Sequence, residues 1–148
     1  MSVEAREAFL AGPHVGILGV DDTRDGSGGP LLVPLWYSYR PGGLVTIQTG
    51  RTTLKARLIR SAGRFSLCAQ VESAPYRYVS VEGPVVAVED PLPPAAREEL
   101  ARRYLDADTA VAYLDANRRQ LADDVLIRMR PERWRTADFA AFAKEFEP

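Results

Sequence analysis

Residues 31–49 read LLVPLWYSYR, then PGG, then LVTIQT: two runs rich in apolar, β-branched and aromatic residues, separated by a three-residue turn. A link that short forces antiparallel neighbours, because parallel strands need a crossover of about a dozen residues or more. The same punctuation recurs along the chain. HVGILGVD reads as a first strand, and DDTRDGSGGP as a turn-rich hairpin loop. RFSLCAQV is a fourth strand and YRYVSVEGPVVAVE a long fifth, with Gly83 as a bulge or bend. Ser2 can cap a helix running to Leu10, with Glu4 near its positive end. After DPLPP, helices are expected at 94–105 and 108–121, then a strand over DVLIRMRPERW and an apolar, helical tail, DFAAFAKEF. Five or six mostly antiparallel strands with short helices between them predict a mainly β fold. The expected architecture is a small barrel with peripheral helices, in one domain spanning 1–148.

A chain of 148 residues can bury one sizeable core. Its 19 Lys and Arg nearly balance 20 Asp and Glu, which argues against a nucleic-acid partner held by global charge. The distribution is uneven: from Gly26 to Val71 there is no acid, yet Arg40, Arg51, Lys55, Arg57, Arg60 and Arg64 all fall there. With Cys68 as the one cysteine, no intrachain disulfide forms, and a reducing cytoplasm fits. No signal-peptide pattern opens the chain, and no apolar run approaches the ~20 residues that span a bilayer.

The acid-free stretch centres on TGRTTLKARLIR, residues 49–60, with three threonines, four cations and helical spacing of Leu54, Leu58 and Ile59. A helix N-terminus presents free backbone N–H groups and a dipole that favours anions. Thr52 and Thr53 add hydroxyls, Lys55 a compact charge, and Arg57 a fork suited to paired phosphate oxygens. The competing reading is a solvated helix face with capping threonines.

Pro34 cannot donate to a ladder, so its strand is locally an edge or irregular. Tyr76 and Tyr78 share one face of the fifth strand, with Arg77 on the other. His14 is the single histidine and reads as structural, since no histidine pair can build a metal site or triad. Cys68 reads as a small buried hydrophobe, and Asp123-Asp124 as solvated surface at a helix-strand junction. There is no nucleophile elbow, Walker loop or G-x-G-x-x-G.

Taken in order, VPLWYSY, IQTGRTTLKARLIRSAGRFSL and YRYVSVEGPV resemble the pyridoxamine 5'-phosphate oxidase-like, FMN-binding split β-barrel family, closest to its actinobacterial branch that uses the deazaflavin coenzyme F420. ARRYL and RMRPERWRT also resemble that branch's C-terminal part. Leu58-Ile59 and Ala62-Gly63 depart from the Asn-Leu and Asp-Pro common there. The resemblance implies a homodimeric split barrel with a cofactor site at the subunit interface, a small-molecule substrate, and neither nucleic acid nor membrane as partner. It implies that cofactor-binding residues are Pro34, Leu35, Trp36, Gln48, Thr49, Arg51, Thr52, Thr53, Lys55, Ala56 and Arg57, with Tyr76 and Tyr78 reaching the partner subunit's site. The implied activity is hydride transfer from reduced F420 to an unsaturated or conjugated acceptor, the protein binding and orienting a cofactor that carries the chemistry. An FMN-dependent oxidoreductase on the same fold, or a non-catalytic flavin, deazaflavin or haem carrier, are the alternatives.

Overall fold

The computed structural model describes residues 1–144. Among the described residues, five α-helices and eight strands follow one another: α1 (Val3–Leu10), β1 (Gly16–Val20), β2 (Leu31–Leu35), β3 (Tyr37–Ser38), β4 (Val45–Gly50), α2 (Leu54–Ala62), β5 (Arg64–Gln70), β6 (Arg77–Glu89), α3 (Pro94–Tyr104), α4 (Ala107–Ala116), β7 (Asp124–Met129), β8 (Arg133–Asp138) and α5 (Ala140–Ala143). Every strand pair is antiparallel. The order is β2-β1-β5-β6-β7-β4-β3, with β8 beside β6.

The long strand β6 makes the curl. Its first half pairs with β5 on one side and β8 on the other, whereas Val85–Glu89 pair with β7. One strand thus belongs to two stretches of sheet. The two ends of the path, β2 and β3, are consecutive in sequence, and the barrel is split between them at Trp36. Of the edge or irregularity expected at Pro34, the edge is observed: among the described residues β2 pairs only with β1, and Pro34 lies opposite Ile17.

Period-2 alternation sends one set of side chains inward. Leu18, Val45, Ile47, Leu67, Val79, Ile127 and Met129 are fully buried, and Phe65 and Val81 nearly so. Phe9 and Leu10 of α1 and Leu58 and Ile59 of α2 close the same cluster. Each such side chain contributes about 1.5–3 kcal/mol on leaving water. The Tyr37 hydroxyl, at the centre, donates to the Leu10 carbonyl at 2.7 Å. As expected, Ser2 caps α1, its hydroxyl accepting from the Ala5 N–H at 3.1 Å.

Several boundaries differ from expectation. The strand read over 31–40 breaks at Trp36, where the chain passes from β2 to β3. The helix expected to reach 121 ends at Ala116, and a 3-10 turn (Gln120–Asp123) follows. DVLIRMRPERW is the strand β7 and the start of β8, separated at Arg130–Glu132, where Pro131 has no N–H for a ladder. The register irregularity of β6 lies between Val85 and Ala87 rather than at Gly83. Of the tail, Ala140–Ala143 are helical, while Glu145 and Phe146 lie outside the described residues. No helix among the described residues is long and apolar enough to cross a membrane.

Candidate cofactor and ligand site

The basic stretch lies where β4 ends and α2 begins. Thr53 is the N-cap: its hydroxyl accepts from the Ala56 N–H at 3.3 Å and donates to the Gly50 carbonyl at 3.0 Å. Thr49, buried, shares a 2.8 Å hydrogen bond with the same hydroxyl. Two of the three threonines therefore serve the turn, and Thr52 alone is exposed. At the other end Gly63 adopts the left-handed conformation, φ +70°, that terminates the helix and favours glycine. Ala62-Gly63, a departure from the resembling family, is thus a cap.

An acid-free sequence does not produce an acid-free neighbourhood. Asp90 takes Arg51 in a bidentate pair, with Nε to Oδ2 at 2.7 Å and Nη2 on Oδ1. Asp123 adds a contact at 3.6 Å. The Arg51 guanidinium holds the Asp90 carboxyl below the usual carboxylate range. Arg60 donates to the Arg51 carbonyl at 2.8 Å, and Arg64 reaches Glu82 at 4.0 Å. Lys55, half-buried, and Arg57, exposed, form no ion pair among the described residues.

Trp36 sits at the split. Its ring stacks on Tyr104 at 4.9 Å and 8°, and Tyr113 tilts against it at 5.4 Å. The Tyr104 hydroxyl donates to the His14 carbonyl at 2.7 Å and accepts from the Tyr37 N–H at 3.1 Å, fixing the break between β2 and β3. Gln48 donates to the Ala96 carbonyl of α3 at 2.9 Å. Leu35, Trp36 and Gln48 share a cavity of about 210 Å³ with Arg97, Leu100, Ala101, Tyr113, Leu121 and Asp124. Gln48 also borders a cleft of about 800 Å³ between α3 and the outer face of β3, β4 and β7, a size suited to a cofactor or large substrate. The arginines flanking that cleft are engaged: Arg40 with Glu99 at 2.6 Å, Arg102 with Glu98 at 3.0 Å and Arg128 with Glu89 at 3.2 Å.

The structure thus gathers Leu35, Trp36 and Gln48 at one cavity, and Thr49, Arg51, Thr52, Thr53, Lys55, Ala56 and Arg57 along the adjoining turn. Pro34 is exposed on the edge strand. Tyr76 and Tyr78 line neither cavity nor cleft; Tyr78 lies opposite Gln70 and Ala137 on sheet strands remote from α3, and Tyr76 is 57% exposed.

Two readings of the sequence need correction. Asp124 is not solvated surface: it opens β7 opposite Gly50 and is buried. Its burial pushes the carboxyl pKa up, against the opposing pull of Arg97 and Lys55. The adjacent apolar run VLIRM was the available signal, since a residue opening such a strand is carried into the sheet. Cys68 is only half-buried, because it faces outward while Phe65, Leu67 and Ala69 face the core; burial still raises its thiol pKa. His14 is structural as read, stacked on Phe9 at 4.3 Å. Arg97, Tyr104 and Tyr113 carried no sequence signal, because helix spacing alone does not reveal which face meets Trp36.

No protein-family model matches the chain, and no curated protein matches it. Solved structures do. An F420 reductase is 24% identical over 87% of this chain and 94% of its own, with a TM-score of 0.67. A conserved hypothetical protein from Mycobacterium tuberculosis is 22% identical over 97% of this chain and 88% of its own, with a TM-score of 0.71. An FAD-binding protein from Mesorhizobium loti is 22% identical over 93% of this chain and 96% of its own, with a TM-score of 0.60. Likeness at this identity establishes the fold, and with the sheet order above it makes this chain a split β-barrel protein.

Proposed function

We propose that the chain is an oxidoreductase that seats a phosphate-bearing tricyclic cofactor, F420 in the first instance, at the start of α2 and serves a conjugated small organic acceptor. One observation carries this reading. The first turn of α2 contains Lys55 and no acid, although a helix dipole disfavours a cation there. A local conflict of that kind, in a turn otherwise well capped, is the mark of an anion site. Among the described residues Lys55 and Arg57 form no salt bridge, Asp124 drawing on Lys55 only from beyond contact, whereas Arg51 is already neutralised by Asp90. Thr52 and the N–H groups at the helix start add uncharged donors.

When bound, a reduced 5-deazaflavin supplies a hydride from its C5. This chain's residues orient and shield. Leu35 and Trp36 give an apolar wall beside the split, and Trp36 is locked by Tyr104 and Tyr113. Gln48 is held by Ala96, which leaves its carbonyl oxygen free to accept. A homodimer would bring the exposed Tyr76 and the adjacent Tyr78 to the partner's site. The F420 reductase sharing this fold supports the deazaflavin; the FAD-binding protein keeps an FMN-type flavin as the second reading.

The test is calorimetric titration of F420 and FMN into folded Lys55→Ala and Arg57→Ala variants. Each loses a charge-assisted phosphate contact, and affinity should fall about 10- to 150-fold. Unchanged affinity in both would return the stretch to a solvated helix face.

A further inference from the structure

Glu82 alternates with the buried Val81 and Gly83 on β6 and so points to the outer face of the sheet. Three arginines share its carboxylate: Arg64 of β5 at 4.0 Å, and Arg133 and Arg135 of β8 at 3.4 and 3.5 Å. Among the described residues, seven other arginines each hold a carboxylate at 3.2 Å or closer. Glu132, beside Arg133 in sequence, is taken by Arg130. Three guanidiniums against one carboxylate leave two positive charges uncompensated, on a chain whose net charge is −1. The side chains of Arg133 and Arg135 are 70% and 62% exposed, so their remaining N–H groups face water.

The strand that carries two of these arginines is an open edge. Among the described residues β8 pairs only with β6. An antiparallel strand turns the N–H and C=O of every second residue away from its partner. The Phe139 N–H donates to the Tyr76 carbonyl in the same register, so Trp134 and Thr136 are residues that face away. No other main chain among the described residues meets them there. Charged side chains commonly guard such an edge, but this guard has one sign. It repels a second copy, whose Arg133 and Arg135 would lie against their own kind across a two-fold axis, and it attracts an acidic strand. Tyr78, assigned above to the homodimer, lies four residues from Glu82, about 13 Å along the same face, and leaves this end of β8 open.

We propose that the free edge of β8 docks an extended, acidic segment of a partner protein, added as a further strand beside Trp134 and Thr136. Its backbone bonds to the edge, and carboxylates at alternate positions, about 6.8 Å apart, meet Arg133 and Arg135, which have the same spacing. Backbone pairing supplies the affinity and the alternate side chains the specificity. Glu82 holds the guanidiniums on the outer face until the partner's carboxylates arrive.

The probe is the capped peptide TETETET, beside TQTQTQT, which lacks the charge, and TTTEEET, which bunches it. Each is titrated into the chain at low salt and followed by NMR shifts of the backbone amides. TETETET should bind most tightly, with Kd below ~1 mM, and the Trp134 and Thr136 amides should exchange more slowly in the complex, which charge attraction alone would not produce. Arg133→Gln combined with Arg135→Gln should weaken that peptide about 3- to 30-fold. Tm and F420 affinity should stay at wild-type values in the double variant, so the result stands apart from the Lys55 and Arg57 reading. Equal binding of TETETET and TTTEEET without amide protection would reduce the edge to a diffuse basic patch and overturn the proposal. So would displacement of the peptide by a short oligothymidylate at comparable affinity, or no peptide binding by ~1 mM.

Discussion

Gly83→Ala tests the seam that shapes the barrel. Gly83 faces inward on β6, where β6 leaves β5 and turns toward β7. A Cβ there would overlap the Arg130 carbonyl oxygen, lie 2.9 Å from the carbonyl carbon and 3.2 Å from the Met129 sulfur. The obstacle is backbone, and it is pinned on both sides. The Arg130 N–H donates to Pro84 O at 3.0 Å, Glu132 N–H to Glu82 O at 3.0 Å, and Val85 N–H to Gly63 O at 2.9 Å. Relief requires moving one strand away from the other, at the expense of at least two of these bonds, about 1 kcal/mol each. Overpacking adds about 1–3 kcal/mol, for a total of roughly 3–5 kcal/mol. For a domain of this size that is a fall in Tm of about 10–15 °C. Thermal unfolding followed by circular dichroism measures it, with Gly28→Ala as the control, since nothing lies within 4 Å of a Cβ there and the change should stay within about 0.5 kcal/mol. A Gly83→Ala protein with wild-type Tm would refute the close approach of β6 to Arg130, and with it the shared-strand geometry.

Sedimentation equilibrium at micromolar protein should give about twice the 16.3 kDa chain mass; a monomer that binds cofactor with full affinity would remove the shared-site reading. F420 should bind more tightly than FMN, because Arg60 continues the charge of Lys55 and Arg57 along α2 over about 8 Å, and the gap should shrink between about 50 and 500 mM salt as exposed contacts are screened; tighter FMN binding at both salts would promote the flavin reading. Asp124 has a folded-state pKa above its unfolded value, so the native state holds the proton more tightly and stability falls as pH rises between the two. The stability advantage of Asp124→Asn should therefore be smallest below the unfolded value near 3.8, grow through the folded pKa, and stay level above it; denaturant titrations at several pH values that show a constant difference would contradict the buried, titrating carboxylate.

What the sequence determined by itself was local. Alternation placed β1, β4 and β5; the PGG turn made neighbours of the strands on either side; Ser2 and Thr53 marked helix starts, and the acid-free turn is what motivates the proposed anion site. These signals act within a few residues, through dihedral preference, side-chain period and capping, so they survive without knowledge of the rest of the chain. The tertiary structure decided which charges meet. Asp90 is 39 residues from Arg51 and still neutralises it, and Arg103 crosses 92 residues to donate to the Ala11 carbonyl. It decided that the strand breaks at Trp36, because the Tyr104 hydroxyl takes the Tyr37 N–H that a continued ladder would have used. It decided that Asp124 is buried beside Arg97 while its neighbour Asp123 is exposed. Electrostatic coupling and desolvation depend on distance through space, which sequence separation does not encode until the sheet has closed around its split.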